Sequence, residues 1–349
     1  MAERENKEIA TLAQVEALKA DSGSRFFSAT HEEIASGATT DLYFVRTYEI
    51  LRGLGLLDTP VVAEVFARRN GVMAGIPEVL WLLRDKDVAI WAVPEGEEFA
   101  TKEVVLRIEG KYGDFGLFET PILGFLAHAS GWATAAREAK RAAGEAKVYC
   151  FGARHVHPAV APVMERAAIV GGADGAACVL AAKLAGQRPV GTVPHTVMII
   201  VGDTVEAALA YDRFMPPEAP RTILIDTFKD EAEEALRVAE ALGPRLQGVR
   251  LDTPGERGGV TADLVREVRA RLDMAGYQHV QIMVSGGLTP ERIAALREAG
   301  AVAFGVGSYI SSAPPIDMTM DLKEVTGKPI AKRGRIPGIT PNPHLVKIK

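Results

Sequence analysis

The chain has 349 residues, 48% of them hydrophobic, with 40 Lys and Arg against 45 Asp and Glu for a formal charge of −5. This length exceeds one minimal domain and allows a barrel-sized domain together with a smaller one. The acidic balance argues against nonspecific nucleic-acid binding, which needs a basic face, and no apolar stretch reaches the roughly 20 residues needed to cross a bilayer.

The opening MAERENKEIA carries both signs of charge and no apolar h-region, so no secretory signal is expected and a cytoplasmic location is. PVVAEVFARR and KEVVLRIEGKYG alternate apolar and polar residues as half-exposed strands do, and GIPEVLWLLRD between them has helical spacing. A long helix is predicted from Pro121 to near Gly144. From Lys147 the pattern changes. Short apolar runs recur at KVYCFG, AACVL, PVGTV, TILID, GVRLD, VQIMVSGG and AVAFGVG, separated for the most part by amphipathic helices. In KDEAEEALRVAEAL, Ala232, Leu236, Ala239 and Leu242 share a face. In TPERIAALREAG, Thr289 is the N-cap, Pro290 the first helical residue and Gly300 lies past the end. About seven buried strands alternating with helices, without a Gly-rich turn after the first, predict a closed α/β barrel rather than an open sheet. Cys150 and Cys178 sit in apolar surroundings without zinc spacing, as reduced core thiols do.

Barrel chemistry sits at the carboxyl ends of the strands, and few polar residues stand there. KVYCFG leads to Arg154, His155 and His157, PVGTV to His195, TILI to Asp226, and GV to Arg250 and Asp252. VQIMV ends in Ser285, Gly286 and Gly287, and AVAF in Gly305 and, after Val306, Gly307. Such glycines let backbone N–H groups approach a phosphate, or simply permit tight turns. Asp226 and Asp252 suit Mg2+ or sugar hydroxyls, though Asp226 equally suits a turn or N-cap. Arg250 and Asp252, two apart on one strand, face the same way, as an anion clamp beside a carboxylate or as a structural ion pair. His195 reads as a loop histidine or a catalyst; His128 and His279 read as structural. An aldolase or isomerase barrel needs a strand-end lysine or acid–base pair, and Lys229 opens a polar helix instead. A non-catalytic phosphoribosyl sensor would need the clamp but not the histidine.

ATTDLYFVRTYEIL, AVPEG, FETPIL, ASGWATAARE, FGARHVHP, GTVPHT, LIDTFKDE, RLDTPGE, VSGGL and FGVGSYI follow in that order between about residues 38 and 312. The series resembles the nicotinate phosphoribosyltransferases. The resemblance implies a type II phosphoribosyltransferase: an N-terminal α/β open sandwich over 1–122, completed by 320–349, and an irregular α/β barrel over 123–319. It implies the joining of nicotinate to 5-phosphoribosyl 1-pyrophosphate, giving nicotinate mononucleotide and pyrophosphate in NAD biosynthesis, with Mg2+ and with ATP as co-substrate. A homodimer or higher homo-oligomer, with the active site at the subunit interface, is the implied assembly; neither nucleic acid nor membrane is an expected partner.

By the same resemblance, His195 is the histidine phosphorylated by ATP, Phe151 stacks on the pyridine ring and Arg154 meets its carboxylate. Tyr43 closes the ring pocket of the partner subunit. Arg250 holds pyrophosphate or carboxylate, Asp252 the ribose hydroxyls, and Asp226 with Asp252 supports Mg2+–pyrophosphate. Gly286, Gly287, Gly305 and Gly307 cradle the 5′-phosphate, and Thr192 and Ser285 join the substrate-binding set. Thr196 stands where serine is more usual, the tail KRGRIPGITPNPHLVKIK has no cysteine, and the chain is shorter than many relatives. VSGGL and the compact length lean toward the decarboxylating quinolinate phosphoribosyltransferases of the same fold. Those neutralise two carboxylates, for which Arg154 and His155, then Lys140 and Arg137, are the candidates. TDLY and GTVPHT make nicotinate the main expectation.

Overall fold

A computed structural model describes residues 8–19 and 26–349. The chain divides into two compact units, Met1–Gly131 with Pro314–Lys349, and Trp132–Ala313. The division therefore falls within the helix Glu119–Ala143, later than the 122/123 boundary expected from sequence, and returns at 313/314 instead of 319/320.

The first unit is built on an antiparallel sheet. Its strand order is Lys328–Pro329, Met318–Val325, Pro60–Ala67, Val104–Lys111, Val88–Ala92 and Val346–Lys347. C-terminal segments thus supply both edges. The two alternating runs recognised in the sequence form its central pair, and Val61, Ala63, Val65, Leu106 and Ile108 are buried in one apolar cluster with Ile76, Val79 and Leu126. Removal of such side chains from water, about 25 cal/mol per Å2, is what holds the unit together.

The second unit carries the parallel sheet. Its strands are β1 (Lys147–Cys150), β2 (Gly175–Ala176), β3 (Thr222–Leu224), β4 (Gly248–Leu251), β5 (Gln281–Ser285) and β6 (Ala303–Val306). Their order is β2-β1-β6-β5-β4-β3, with every pairing parallel. That is the cyclic order of a barrel opened between β2 and β3, so the α/β barrel class holds with six paired strands rather than about seven. The missing strand is PVGTV. Pro189 and Pro194 bracket it and remove ladder donors, and it keeps one strand-like bond, Val190 N–H to the Ala176 carbonyl at 3.0 Å. AACVL is likewise strand only as far as Ala176, and Val179–Leu184 is helical. Helix starts follow their caps: Asp230 accepts from the amides of Ala232 and Glu233, Thr261 from Leu264 and Thr289 from Arg292. These three helices follow the carboxyl ends of β3, β4 and β5.

Candidate active site at the carboxyl ends of the parallel strands

Arg250 leaves β4 with its guanidinium shared among three oxygens. Nε donates to Ser285 Oγ at 2.9 Å, one Nη to Thr192 Oγ1 at 2.8 Å and the other to Asp252 Oδ2 at 2.9 Å. Ser285 Oγ donates in turn to Asp252 Oδ1 at 2.8 Å. Both Asp252 oxygens are therefore held, and their direction is fixed before any substrate arrives. The backbone N–H of Asp252 donates to Asp226 Oδ2 at 3.2 Å, and Asp226 Oδ1 lies 3.2 Å from His195 Nε2. Burial raises the Asp226 carboxyl above its ordinary value, and the adjacent His195 offsets only part of that rise. Thr192, His195, Asp226, Arg250, Asp252 and Ser285, scattered over more than ninety positions of sequence, thus form one hydrogen-bonded network.

His195 itself departs from expectation. It is the first residue of the helix His195–Val201, with Pro194 as N-cap, and does not follow a strand. Its side chain remains 37% exposed while that of Asp226 is fully covered. A buried carboxylate holding a half-exposed imidazole fixes the ring and leaves its other nitrogen available.

A cavity of about 190 Å3 opens over the ends of β1, β4, β5 and β6, lined by Phe151, Arg154, His155, Arg250, Asp252 and Ser285 together with Gly286, Gly287, Gly305, Gly307 and Ser308. The Arg250 guanidinium carbon sits 5.5 Å from the centroid of the Phe151 ring. Two glycines have a close-approach reason. A Cβ on Gly305 would stand 2.4 Å from the Phe151 ring, and one on Gly307 2.8 Å from His155 Cε1. Gly286 and Gly287 have φ of +91° and +55°, which L side chains adopt at a cost. His155 Nδ1 is 3.1 Å from Ser311 Oγ. Among the described residues Arg154 makes no hydrogen bond or ion pair, so its charge is open to a ligand.

Other sequence candidates are not among the residues lining this cavity. Arg137 Nε donates to the Gly171 carbonyl at 2.7 Å, and Lys140 Nζ is paired with Asp174 at 2.9 Å; both are committed to the fold. Lys229 pairs with Glu233. Tyr43 belongs to the first unit, on the helix Leu42–Gly53, and is 57% exposed. The sequence reading missed Glu165, which is fully buried under the Phe151–Arg154 turn, and Thr253, whose hydroxyl donates to Glu231 at 2.8 Å. Glu165 had a visible signal: it lies four residues after Ala161 and three before Ala168, on the apolar face of its helix.

No group of three or more His, Cys, Asp or Glu side chains among the described residues is placed to hold a metal ion by itself. The four oxygens of Asp226 and Asp252 already accept protein donors. Such a donor set fits a Mg2+ that rides on substrate phosphates and takes at most one or two carboxylates, which is that ion's habit. No helix among the described residues is long and apolar enough to cross a membrane.

Two family models match in succession: the quinolinate phosphoribosyl transferase N-terminal domain over residues 41–130 and the corresponding C-terminal domain over 132–321. A crystal structure of nicotinate-nucleotide pyrophosphorylase from Pyrococcus furiosus is 48% identical with a TM-score of 0.86, over 90% of this chain and 82% of that one. Nicotinate phosphoribosyltransferase pncB1 of Mycobacterium tuberculosis is 30% identical, over 85% of this chain and 75% of its own length. Human nicotinic acid phosphoribosyltransferase, at 21% identity and a TM-score of 0.67, shares the fold. The matches to both quinolinate-type domains and the 48% identical structure overturn nicotinate as the expected substrate; they lend no support to ATP coupling or to a phosphohistidine. The chain belongs to the quinolinate phosphoribosyl transferase family.

Proposed function

We propose that the chain is a decarboxylating quinolinate phosphoribosyltransferase, joining quinolinate to 5-phosphoribosyl 1-pyrophosphate and yielding nicotinate mononucleotide, pyrophosphate and carbon dioxide. The observation that carries this reading is the succession of both quinolinate-type domain matches along residues 41–130 and 132–321. The cavity's chemistry supports it. Phe151 offers a ring face, while Arg154, Arg250 and His155 provide up to three cationic groups, as a dicarboxylate requires.

In this reading the backbone around Gly286, Gly287, Gly305 and Gly307 cradles the 5′-phosphate, and Asp252, aimed by Arg250 and Ser285, meets the ribose hydroxyls. The pyridine nitrogen attacks C1 of the ribose as the C1–O bond to pyrophosphate breaks, and the two electrons of that bond leave with pyrophosphate. When the carboxylate next to the now cationic ring nitrogen departs as carbon dioxide, the electron pair of the broken C–C bond stays on that ring carbon, stabilised by the adjacent positive charge, and takes up a proton from water. Asp226 and Asp252 would meet a Mg2+–pyrophosphate, and the ion would neutralise part of the leaving group's charge. His195, oriented by Asp226, lies at the same end of the sheet with its other ring nitrogen uncommitted. The protein's part is positioning and preorganised charge.

The functional unit is a homodimer. Val179, Leu180, Leu184, Ile199, Ile200 and Phe214 are each more than half exposed on three helices of the second unit, more apolar surface than an isolated chain usually leaves to water. Light scattering at micromolar concentration should return twice the chain mass. The test of the activity is turnover of quinolinate and, separately, nicotinate with phosphoribosyl pyrophosphate and Mg2+. A kcat/KM for quinolinate at least about tenfold above that for nicotinate is expected, a margin of about 1.4 kcal/mol in transition-state binding. The reverse order overturns the reading.

A further inference from the structure

Glu165 lies on the helix Ala161–Val170 and is 0% exposed. Its carboxylate does not face a lysine or arginine. Oε1 accepts the backbone N–H of Ala153 at 3.1 Å, and Oε2 that of Cys178 at 2.6 Å. The amides of Gly152 and Ala177 also stabilise its charged form, against burial, which is the larger influence and raises its pKa. The four amides come from two places, the turn after β1 and the turn after β2. A buried carboxylate satisfied only by backbone amides is costly to desolvate; a glutamine there would present an NH2 group to donors and lose half the acceptor set.

The turn that it grips has little freedom elsewhere. A Cβ on Gly152 would meet Met164 Cε at 2.7 Å and Ser311 Cβ at 3.0 Å. The Phe151 ring is seated where only glycine at position 305 leaves room. Phe151 and Arg154, on either side of the clamped Ala153 amide, line the cavity. Displacement of that amide by a fraction of an ångström moves both.

We infer that Glu165 is a positioning residue for the pyridine pocket, its carboxylate locking the Phe151–Arg154 turn to the end of β2 so that ring face and guanidinium meet the substrate together. The inference rests on reading this cavity as the pyridine site. It assigns Glu165 to one substrate and not the other, because the phosphate cradle of β5 and β6 receives no bond from it.

The test compares full-length wild type, E165Q and E165D by steady-state kinetics and by backbone hydrogen exchange. In E165Q, exchange in peptides covering 152–153 and 177–178 should rise about tenfold or more while peptides covering 285–287 stay at wild-type rates. KM for quinolinate should rise about tenfold or more, with KM for phosphoribosyl pyrophosphate within about twofold and kcat changed less than KM. E165D, which keeps the charge on a shorter arm, should fall between. Wild-type exchange in E165Q, or an equal rise in both KM values, overturns the assignment. If E165Q does not fold, E165D decides alone: wild-type kinetics there leave Glu165 a purely structural residue and overturn the proposal. If the wild-type protein turns over no pyridine acid, the proposed reaction fails, and the exchange comparison still decides whether the clamp exists.

Discussion

In the antiparallel unit, Glu64 sits in mid-strand, 1% exposed, with Arg107 donating to its Oε1 through Nε at 3.0 Å and an Nη at 2.8 Å, and with the Thr340 amide on the same oxygen at 3.1 Å. In the parallel unit, Asp252 stands just past the end of β4, held by Arg250 and Ser285, and both it and Arg250 line an open cavity. The two carboxylates have equivalent partners. Their positions differ. Mid-strand, the surrounding side chains and the C-terminal tail close over the pair, and it serves the fold. At a strand end, a turn built of glycines leaves the pair one open side, and the same chemistry is offered to a ligand.

If that contrast is right, the largest effect belongs to the closed pair. Glu64→Ala strands the Arg107 guanidinium in a buried setting and should cost about 3–5 kcal/mol of unfolding free energy, with kcat/KM per folded molecule unchanged; denaturant unfolding with parallel assays checks both. Asp252→Asn should do the opposite, lowering kcat/KM for phosphoribosyl pyrophosphate by about 10²- to 10³-fold, the scale of one preorganised electrostatic group, at nearly unchanged stability. Equal stability losses in the two variants would erase the distinction. Gly305→Ala pushes a methyl group into the Phe151 ring and should lower kcat/KM for the pyridine acid by about 10²-fold, as small misplacements in a positioned site do.

The smallest effect is on pH dependence. Burial pushes the Glu119 carboxyl, in the first unit, up from 4.5 to about 7. Its folded-state pKa is above the unfolded value, so its contribution to stability is complete below about pH 4.5 and is lost as pH rises toward 7. Glu119→Gln should therefore gain stability relative to wild type across that window in urea titrations. A difference between the two that does not vary with pH contradicts the assignment.

Much of the strand-end chemistry was legible because position alone selects it: once apolar runs are read as parallel strands, Arg250, Asp252, Ser285 and the late glycines stand where a barrel keeps its ligands. The bonds among them were not legible. His195 and Asp226 are 31 positions apart and meet because the chain between β2 and β3 folds as helices, which an apolar run flanked by prolines concealed. Glu165 was not singled out, since a glutamate on a helix is usually solvated, and only the helical projection placing it beside Ala161 and Ala168 could have flagged it. Substrate choice was misread for a different reason. It depends on a few charges around one ring, and the motifs that mark the fold carry no record of the ring's second carboxylate.

The most direct measurement supplies quinolinate labelled in the carboxyl group next to the ring nitrogen, with phosphoribosyl pyrophosphate and Mg2+, and follows carbon dioxide and pyrophosphate together. Release of the two in equal amounts, with nicotinate mononucleotide as the product and no requirement for ATP, is the predicted result. Retention of the label while nicotinate is converted under the same conditions would contradict the account.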